Sequence, residues 1–346
     1  MSRKLKFGIV GAGAVAHSYV RAFEQSEDAE IAAVADIRVE AADAIAQGIR
    51  CRSYDGFERM VQDCDLDAAI VCTPPSTHPG ICIHLIECGI PVLCEKPFSI
   101  DKKGAQEMLD AARKSGVILT MASKFRYVDD IVRAKSMVTS GVLGGLIALE
   151  NTFATRVDMA SRWNSRPEIS GGGVLIDNGT HSVDLMHYFL GPAADVQALE
   201  GRRTQGLAVE ETVTVCMRSF SGVICRFDLS WSMNKGSDSF LDIYGTRGAI
   251  SVGWKKSRYL DYSHGEWVEL GHGYNKLKAF CNQIRNFSRA LRGEEALSLT
   301  GEDAIASVRM IEMAYEALRK NQENSSISPS IHSEIERAYA MRRSPL

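Results

Sequence analysis

This chain is predicted to fold as an α/β protein in two parts. The first is a doubly wound parallel sheet, and the second is a C-terminal α+β domain with a large open, mostly antiparallel sheet. Three observations carry that prediction. Between Leu5 and Met121, short apolar runs alternate with helical segments. The first run ends in Gly11-Ala12-Gly13-Ala14-Val15-Ala16, a G-x-G-x-x-A turn that opens a helix. Beyond Lys124, strands follow one another through turns such as Phe220-Ser221-Gly222 and Gly245-Thr246-Arg247-Gly248, which suit antiparallel hairpins. The 346 residues therefore divide into a Rossmann-type nucleotide-binding domain, 1–123, and a substrate-binding and oligomerisation domain, 124–346.

The elements follow in order. Lys6-Phe7-Gly8-Ile9-Val10 is the first strand, and a helix from about Val15 to Gln25 follows the glycine turn. Ala29 to Ala35 is the second strand, ended by Asp36, and helices are expected from Val39 to Gln47 and Asp55 to Gln62. Asp67 to Cys72 is a buried strand that stops at Thr73-Pro74-Pro75-Ser76-Thr77-His78, with a helix then running to Gly89. Ile90-Pro91-Val92-Leu93 is a short buried strand leading into Cys94-Glu95-Lys96-Pro97. The next helix, Asp101 to Ser115, has Asp101 as N-cap and Gly116 as its stop. Val117 to Met121 completes a sixth parallel strand, joined by right-handed crossovers. A helix from Asp129 to Ser140 then precedes strands at Leu146–Thr155, Asp195–Glu200, Glu211–Arg218, Val223–Ser230, Phe240–Tyr244 and Ala249–Val252. Two helices, Lys276 to Arg292 and Glu302 to Asn321, close the domain, and the Ser-rich stretch beyond Glu323 reads as a linker and tail.

The glycine turn permits a tight bend and close backbone approach to a pyrophosphate, with the N–H groups at Ala14 and Val15 offered to phosphate. Asp36 lies about 20 residues further on, where an acid hydrogen-bonds ribose hydroxyls and repels a 2′-phosphate. NAD is thus favoured over NADP, while Arg38 keeps NADP open because it can pair with a 2′-phosphate or stack on adenine. Lys96 stands at the carboxyl end of a strand, where open α/β sheets bind ligands, and Pro97 keeps it extended. In the second domain, a flexible loop at Gly171-Gly172-Gly173 is expected to run into a helix carrying Asp177 and His181, four apart and so on one face. Imidazole suits proton transfer near neutral pH, and a carboxylate one turn away can orient it or hold a substrate hydroxyl. From spacing alone, helix capping by Asp177 and a hydrogen-bonded core His181 is the more ordinary reading.

A net charge of −3 argues against a dedicated nucleic-acid or membrane-surface protein, and no run is long enough to span a membrane. The basic N-terminus leads directly into the first strand, so a cytoplasmic location is expected. The nine cysteines include no Cys-x-x-Cys pair, so reduced thiols are expected and a metal site is not.

Taken in order, the turn at Gly11–Ala16, the Thr73–His78 turn, Glu95-Lys96-Pro97 and the Gly-Gly-Val-Leu-Ile-Asp segment ending at His181 are specific. The chain resembles the glucose–fructose oxidoreductase/inositol dehydrogenase/MocA family over nearly its whole length. That resemblance implies reversible hydride transfer between a nicotinamide and a secondary alcohol of a sugar, inositol or sugar derivative. It further implies that the strand end and turn at Cys72, Thr73, Pro74 and His78 line the cofactor, and that Glu95 lies near the nicotinamide ribose. Lys96 and His181 would lie nearest the reacting carbon, with Asp177 in support. Asn178 departs from the apolar residue more usual there, which points to altered substrate contacts. The family also includes glycosidases that use bound NAD without net turnover. A catalytically silent NAD-binding regulator is the third alternative.

Arg156, Arg162, Trp163 and Arg166 cluster in the loop before the glycine triplet; they are candidates to clamp a carboxylate or phosphate or to stack on a pyranose, as in a uronate or nucleotide sugar, but solvated arginines with a packing tryptophan are the more ordinary reading. Lys124-Phe125-Arg126-Tyr127 lies at the domain junction and either reaches the cleft, with Arg126 a candidate for substrate contact, or packs between the domains. The open sheet face is expected to be covered by a second copy, giving a homodimer or homotetramer.

Overall fold

A computed structural model describes residues 3–324; the tail expected from residue 325 onward lies outside the described residues. The first sheet contains β1 (Leu5–Val10), β2 (Ala29–Ala35), β3 (Arg52–Tyr54), β4 (Ala68–Val71), β5 (Val92–Glu95) and β6 (Leu119–Ala122), in the order β3-β2-β1-β4-β5-β6. All its pairings are parallel. The winding reverses between β1 and β4, so their carboxyl ends open a crevice. The crossovers are α1 (Ala14–Phe23), α2 (Val39–Ile49), α3 (Phe57–Asp63), α4 (His78–Glu87) and α5 (Lys102–Ser115). The Asp101 carboxylate caps α5 by accepting from the Gly104 N–H at 2.7 Å, and Gly116 ends it at φ 65°, as the sequence indicates. Strand β3 went unplaced in the sequence reading, because three residues are too few to show alternation.

The second domain begins with α6 (Asp129–Thr139) and β7 (Leu146–Ala154), followed by α7 (Pro167–Ser170), α8 (Val174–Asp177) and α9 (Gly179–Leu190). The strands β8 (Ala193–Glu200), β9 (Thr212–Ser219), β10 (Ile224–Ser230), β11 (Ser239–Gly245), β12 (Gly248–Gly253), β13 (Ser257–Asp261) and β14 (Trp267–Gly271) follow. With β7 they form an eight-stranded sheet ordered β14-β13-β12-β11-β7-β10-β9-β8, in which β7 and β10 run parallel and the other neighbours antiparallel. Both expected hairpins form, β9–β10 and β11–β12. Strands β13 and β14 escaped the sequence because most of their residues stay partly exposed, so no one-sided apolar period marks them.

One face of this sheet is covered. Leu175, Val183 and Met186 share a core with Leu149, Val215, Phe227 and Leu229. The opposite face carries Glu150, Thr214, Arg226 and Asp228, partly exposed and cross-linked. The Thr214 hydroxyl donates to Asp228 at 3.0 Å, Arg226 lies 3.7 Å from Glu150, and Lys235 pairs with Asp228. This face is polar, so the argument that it must be covered for want of water-compatible groups does not hold for its centre.

The last two helices return to the first domain. On α10 (Lys276–Leu291), Phe280, Ile284 and Phe287 join the core of Phe7 and Tyr19, with the Tyr19 and Phe280 rings edge to face at 4.8 Å. Helix α11 (Gly301–Asn324) contributes Ile305 and Val308 to the core beneath β5 and β6 and Ile311 and Ala314 to that of the second domain. This packing ties the two sheets together across the crevice. No described helix is long and apolar enough to cross a membrane.

Candidate active site

The crevice starts at the glycine turn. Gly11 has φ 97°, and a Cβ there would meet the backbone of Cys72 and Thr73 at 2.8 Å, so no other residue fits. Among the described residues the space over Gly13 is open and no side chain caps α1, which leaves first-turn N–H groups for a phosphate. The Asp36 carboxylate accepts from the Ala12 N–H at 2.7 Å and the Arg38 N–H at 2.8 Å. Arg38 folds back so that its Nε lies 3.5 Å from the same carboxylate. A cavity of about 440 Å³ runs past Gly11, Gly13, Asp36, Arg38, Thr73 and Pro74, with Cys72 in its wall. An open turn, donor N–H groups and a fixed acid at the ribose position fit a dinucleotide.

His78 does not line that cavity. It is fully buried, with Nδ1 3.0 Å from the Pro97 carbonyl and Nε2 2.8 Å from the Thr73 carbonyl, so it clamps the two turns together. Its expected place beside the cofactor is corrected to a role behind the wall.

A second cavity, about 250 Å³, shares Gly13, Cys72, Thr73 and Trp163 with the first and is also lined by Ala14, Val15, Glu95, Lys96, Lys124, Asp177, His181 and Phe280. The Lys96 ammonium donates to the Asp177 carboxylate at 2.6 Å and to the Asp177 carbonyl at 3.2 Å. The two side chains are 18% and 19% exposed, screened enough for their charges to act strongly but open to the cavity. Glu95 is buried; its carboxylate accepts from the Tyr19 hydroxyl at 2.8 Å and the Lys96 N–H at 3.1 Å. Burial nevertheless raises its pKa above the ordinary carboxylate value.

The glycine triplet is tightly packed, not flexible. A Cβ on Gly173 would strike the Glu210 carbonyl, and the buried Glu210 carboxylate accepts from the N–H groups of Gly173 and Leu175 at 2.9 and 3.1 Å. Helix α8 therefore starts at a fixed point, ends at Asp177, and is broken from α9. Asp177 meets Lys96, and no hydrogen bond joins it to His181 among the described residues. The idea that Asp177 orients the imidazole is replaced by one in which it holds the lysine.

His181 is buried with its ring edge-on to Phe125 at 4.9 Å and Phe153 at 6.2 Å, and its Nδ1 has no hydrogen-bond partner among the described residues. Burial, then the charges of Lys96 and Lys124, push its pKa well below the ordinary value. The imidazole is therefore neutral at pH 7, and its titration belongs on the acid limb of any pH profile. Lys124 is itself brought down to about 8, chiefly by burial and then by Lys96.

Three substrate candidates are corrected. Arg126 is 3% exposed and turned into the protein: its guanidinium donates to Asp184 at 2.9 Å, to the Ser298 carbonyl at 3.0 Å and to Asp303 at 3.3 Å. Arg162, with Arg156 and Arg166, is exposed and lines neither cavity, whereas Trp163 and Asn164 of the same loop do line the second. Asn178 donates to the Phe153 carbonyl at 3.4 Å, which secures the helix break to β7. Tyr19 and Phe280 were missed; both sit at core-like helical spacing, and only the hydroxyl of Tyr19 could have signalled a buried partner.

Comparisons with known proteins agree with this arrangement. Residues 5–123 match the oxidoreductase family with an NAD-binding Rossmann fold, GFO/IDH/MocA, and residues 131–251 match the GFO/IDH/MocA C-terminal domain. The rhizopine catabolism protein MocA of Rhizobium meliloti is 27% identical over 92% of this chain and 96% of its own length. Inositol 2-dehydrogenase of Rhizobium meliloti (strain 1021) is 22% identical over 93% and 99%. The WlbA dehydrogenase from Bordetella pertussis, solved with NADH and UDP-GlcNAcA, superposes with a TM-score of 0.81 at 21% identity, covering 93% of this chain and 97% of that one. Both domains match in family order on the family's fold, and so the chain belongs to the GFO/IDH/MocA family of NAD(P)-dependent oxidoreductases.

Proposed function

We propose that the protein transfers a hydride between NAD(H) and a secondary alcohol or the corresponding ketone of a sugar, inositol or sugar derivative. The observation that carries this reading is the 2.6 Å pair of Lys96 with Asp177, sharing one cavity with the neutral, buried His181 and opening into the dinucleotide crevice. The preference for NAD is supported by Asp36, whose charge would repel a 2′-phosphate, and by Arg38, which turns onto Asp36.

When bound, the nicotinamide supplies the hydride-accepting carbon. Lys96 donates to the reacting oxygen and offsets the negative charge that grows there; a preorganised donor of this kind contributes about 3–4 kcal/mol. Asp177 fixes the ammonium. The hydroxyl proton passes to His181, whose buried, unpartnered Nδ1 leaves Nε2 as the accepting atom. Its lowered pKa makes it a weak base, so its contribution belongs at the low end of the usual range, about 10²-fold.

A homodimer or homotetramer through the open sheet is part of the same proposal, supported by exposed Ile147, Leu199, Ile224 and Val268 on its strands. Light scattering tests it, and a monomer at micromolar concentration would refute it.

For the reaction, purified protein is mixed with NAD and a panel of sugars, inositols, uronates and nucleotide sugars, and the NADH absorbance band is followed. A rise with one class is the expected result. Tight NAD binding without any rise, accompanied by hydrolysis of an aryl glycoside, would replace this reading with a redox-neutral glycosidase. NAD binding with neither activity would leave a silent binder.

A further inference from the structure

Lys124 has an ammonium that nothing in the reaction described above uses. It lines the same cavity as Lys96, Asp177 and His181, yet no hydrogen bond or ion pair reaches it among the described residues. Its Nζ lies over the rings of Phe125 and Phe280, 5.5 and 6.0 Å from their centres. Lys276 approaches the Phe280 ring as well, at 5.9 Å, so two ammonium groups attend one buried aromatic.

The acids nearby are already engaged. Asp177 holds Lys96 at 2.6 Å, and both oxygens of Glu95 accept, one from Tyr19 and one from the Lys96 N–H. Lys124 thus brings three N–H donors and a charge to the cavity; Lys96 and Lys276 repel it, Glu95 and Asp177 attract it, and the three ammoniums outnumber the two carboxylates by one. An ammonium in such surroundings costs free energy until an acceptor of opposite charge arrives. A neutral hydroxyl would satisfy a donor but leave the repulsion; a carboxylate answers both. An excess of one positive charge matches a monoanion better than a dianionic phosphate ester.

We infer that the substrate is a sugar acid whose carboxylate is bound by Lys124. This rests on the hydride-transfer reading for its chemistry but not for its binding. Lys124 is a specificity residue, distinct from the Lys96 that meets the reacting oxygen. It also supplies the anion contact that the exposed loop arginines do not.

The test uses the full chain with a matched series: a neutral hexose, its uronate and its terminal phosphate ester. Turnover is followed with NAD, and binding is followed by calorimetry on the NADH-loaded protein, where the alcohol cannot be oxidised. The wild type is expected to favour the uronate over the hexose in kcat/KM and in affinity. Lys124→Met should reduce that ratio roughly 10–100-fold, the range for losing a hydrogen bond to a charged group, and Lys124→Arg should restore part of it. The KM for the uronate, but not for the hexose, should climb above pH about 8 as the ammonium deprotonates. A wild type that prefers the hexose or the phosphate ester, or a uronate preference that survives Lys124→Met, overturns the inference. So does a Lys124→Met protein that loses NADH affinity while its uronate preference persists, because the ammonium would then serve the cofactor. Uronate binding abolished in Lys124→Met, in the absence of any NADH formation by the wild type, would uphold the carboxylate site while refuting hydride transfer.

Discussion

Replacing Lys96 by Met removes one charge from a pair and exposes what each partner does. At 2.6 Å, the attraction in a medium of effective dielectric ~20 is roughly 6 kcal/mol before desolvation is subtracted. Breaking a fully buried pair costs about 3–5 kcal/mol, but Asp177 is 19% exposed to a wet cavity, so the loss of stability here should be roughly 1–3 kcal/mol. That is a fall of only a few degrees in Tm for a chain of this size. The rate should suffer more. A lost donor to the developing alkoxide costs about 3–4 kcal/mol, or roughly 10²–10³ in kcat, while NAD affinity holds because the dinucleotide cavity does not depend on Lys96. The double variant Lys96→Met/Asp177→Asn separates the effects, since it removes the orphaned carboxylate. Its Tm should recover and its kcat should not. Steady-state kinetics, NADH titration and calorimetry on the three proteins decide the matter. Turnover of Lys96→Met within tenfold of wild type, or recovery of kcat in the double variant, would refute the assignment.

Four further outcomes follow from the geometry. A base must be unprotonated to act, and burial with Lys96 and Lys124 holds the His181 pKa well below its ordinary value; kcat should therefore fall only on the acid side. His181→Ala should lose about 10²-fold at neutral pH and flatten that acid limb, and an acid limb left intact would count against His181 as base. Asp36→Ala should weaken NAD roughly tenfold and narrow its advantage over NADP, as read by titrating both reduced cofactors; an unchanged ratio would sink the ribose-contact argument. Arg126→Met strands the fully buried Asp184 and should destabilise the protein by about 3–5 kcal/mol, so a Tm within two or three degrees of wild type, roughly 1 kcal/mol, would mean that the pair is not the junction's anchor. Asp303 shares that network: burial alone would raise its pKa, but the His187 hydrogen bond and the Arg126 charge outweigh it and hold it low. Its stabilisation is therefore present above the unfolded carboxylate pKa of about 4 and is lost as the pH falls below it towards the folded value.

Much of this architecture could be read from the residues, because strong local signals met no competition. Strand β2 runs from Ala29 to Ala35 as expected, and the Asp101 cap and the Gly116 stop act where they were placed. The chemical residues whose position depends on a strand end, Lys96 and Asp36, were also legible, since a parallel sheet delivers its carboxyl ends to one edge. What failed depended on contacts far apart in sequence. The glycine triplet looked flexible because Glu210, which fills the space a side chain would need, is 37 residues away from Gly173. The i, i+4 spacing of Asp177 and His181 did bring both to one cavity, but it could not show that Lys96, 81 residues from Asp177, would take the carboxylate.

The segment Lys124-Phe125-Arg126-Tyr127 shows where such reading stops. It forms a single 3₁₀ turn, and its two cations meet opposite environments: Lys124 enters the cavity and Arg126 enters the interior. The guanidinium can be buried because Asp184, Asp303 and the Ser298 carbonyl lie within its reach. The shorter list of partners around the ammonium is what leaves it available to a ligand. Composition ranks both as surface residues, and arginine looked the better anion clamp. The acids that decided between them come from α9 and α11, whose approach to this turn no local pattern encodes. A buried cation already paired with the protein's own acids is a poor candidate for substrate recognition, however suitable its side chain, and the neighbour two residues away, which has no such pair, inherits the role.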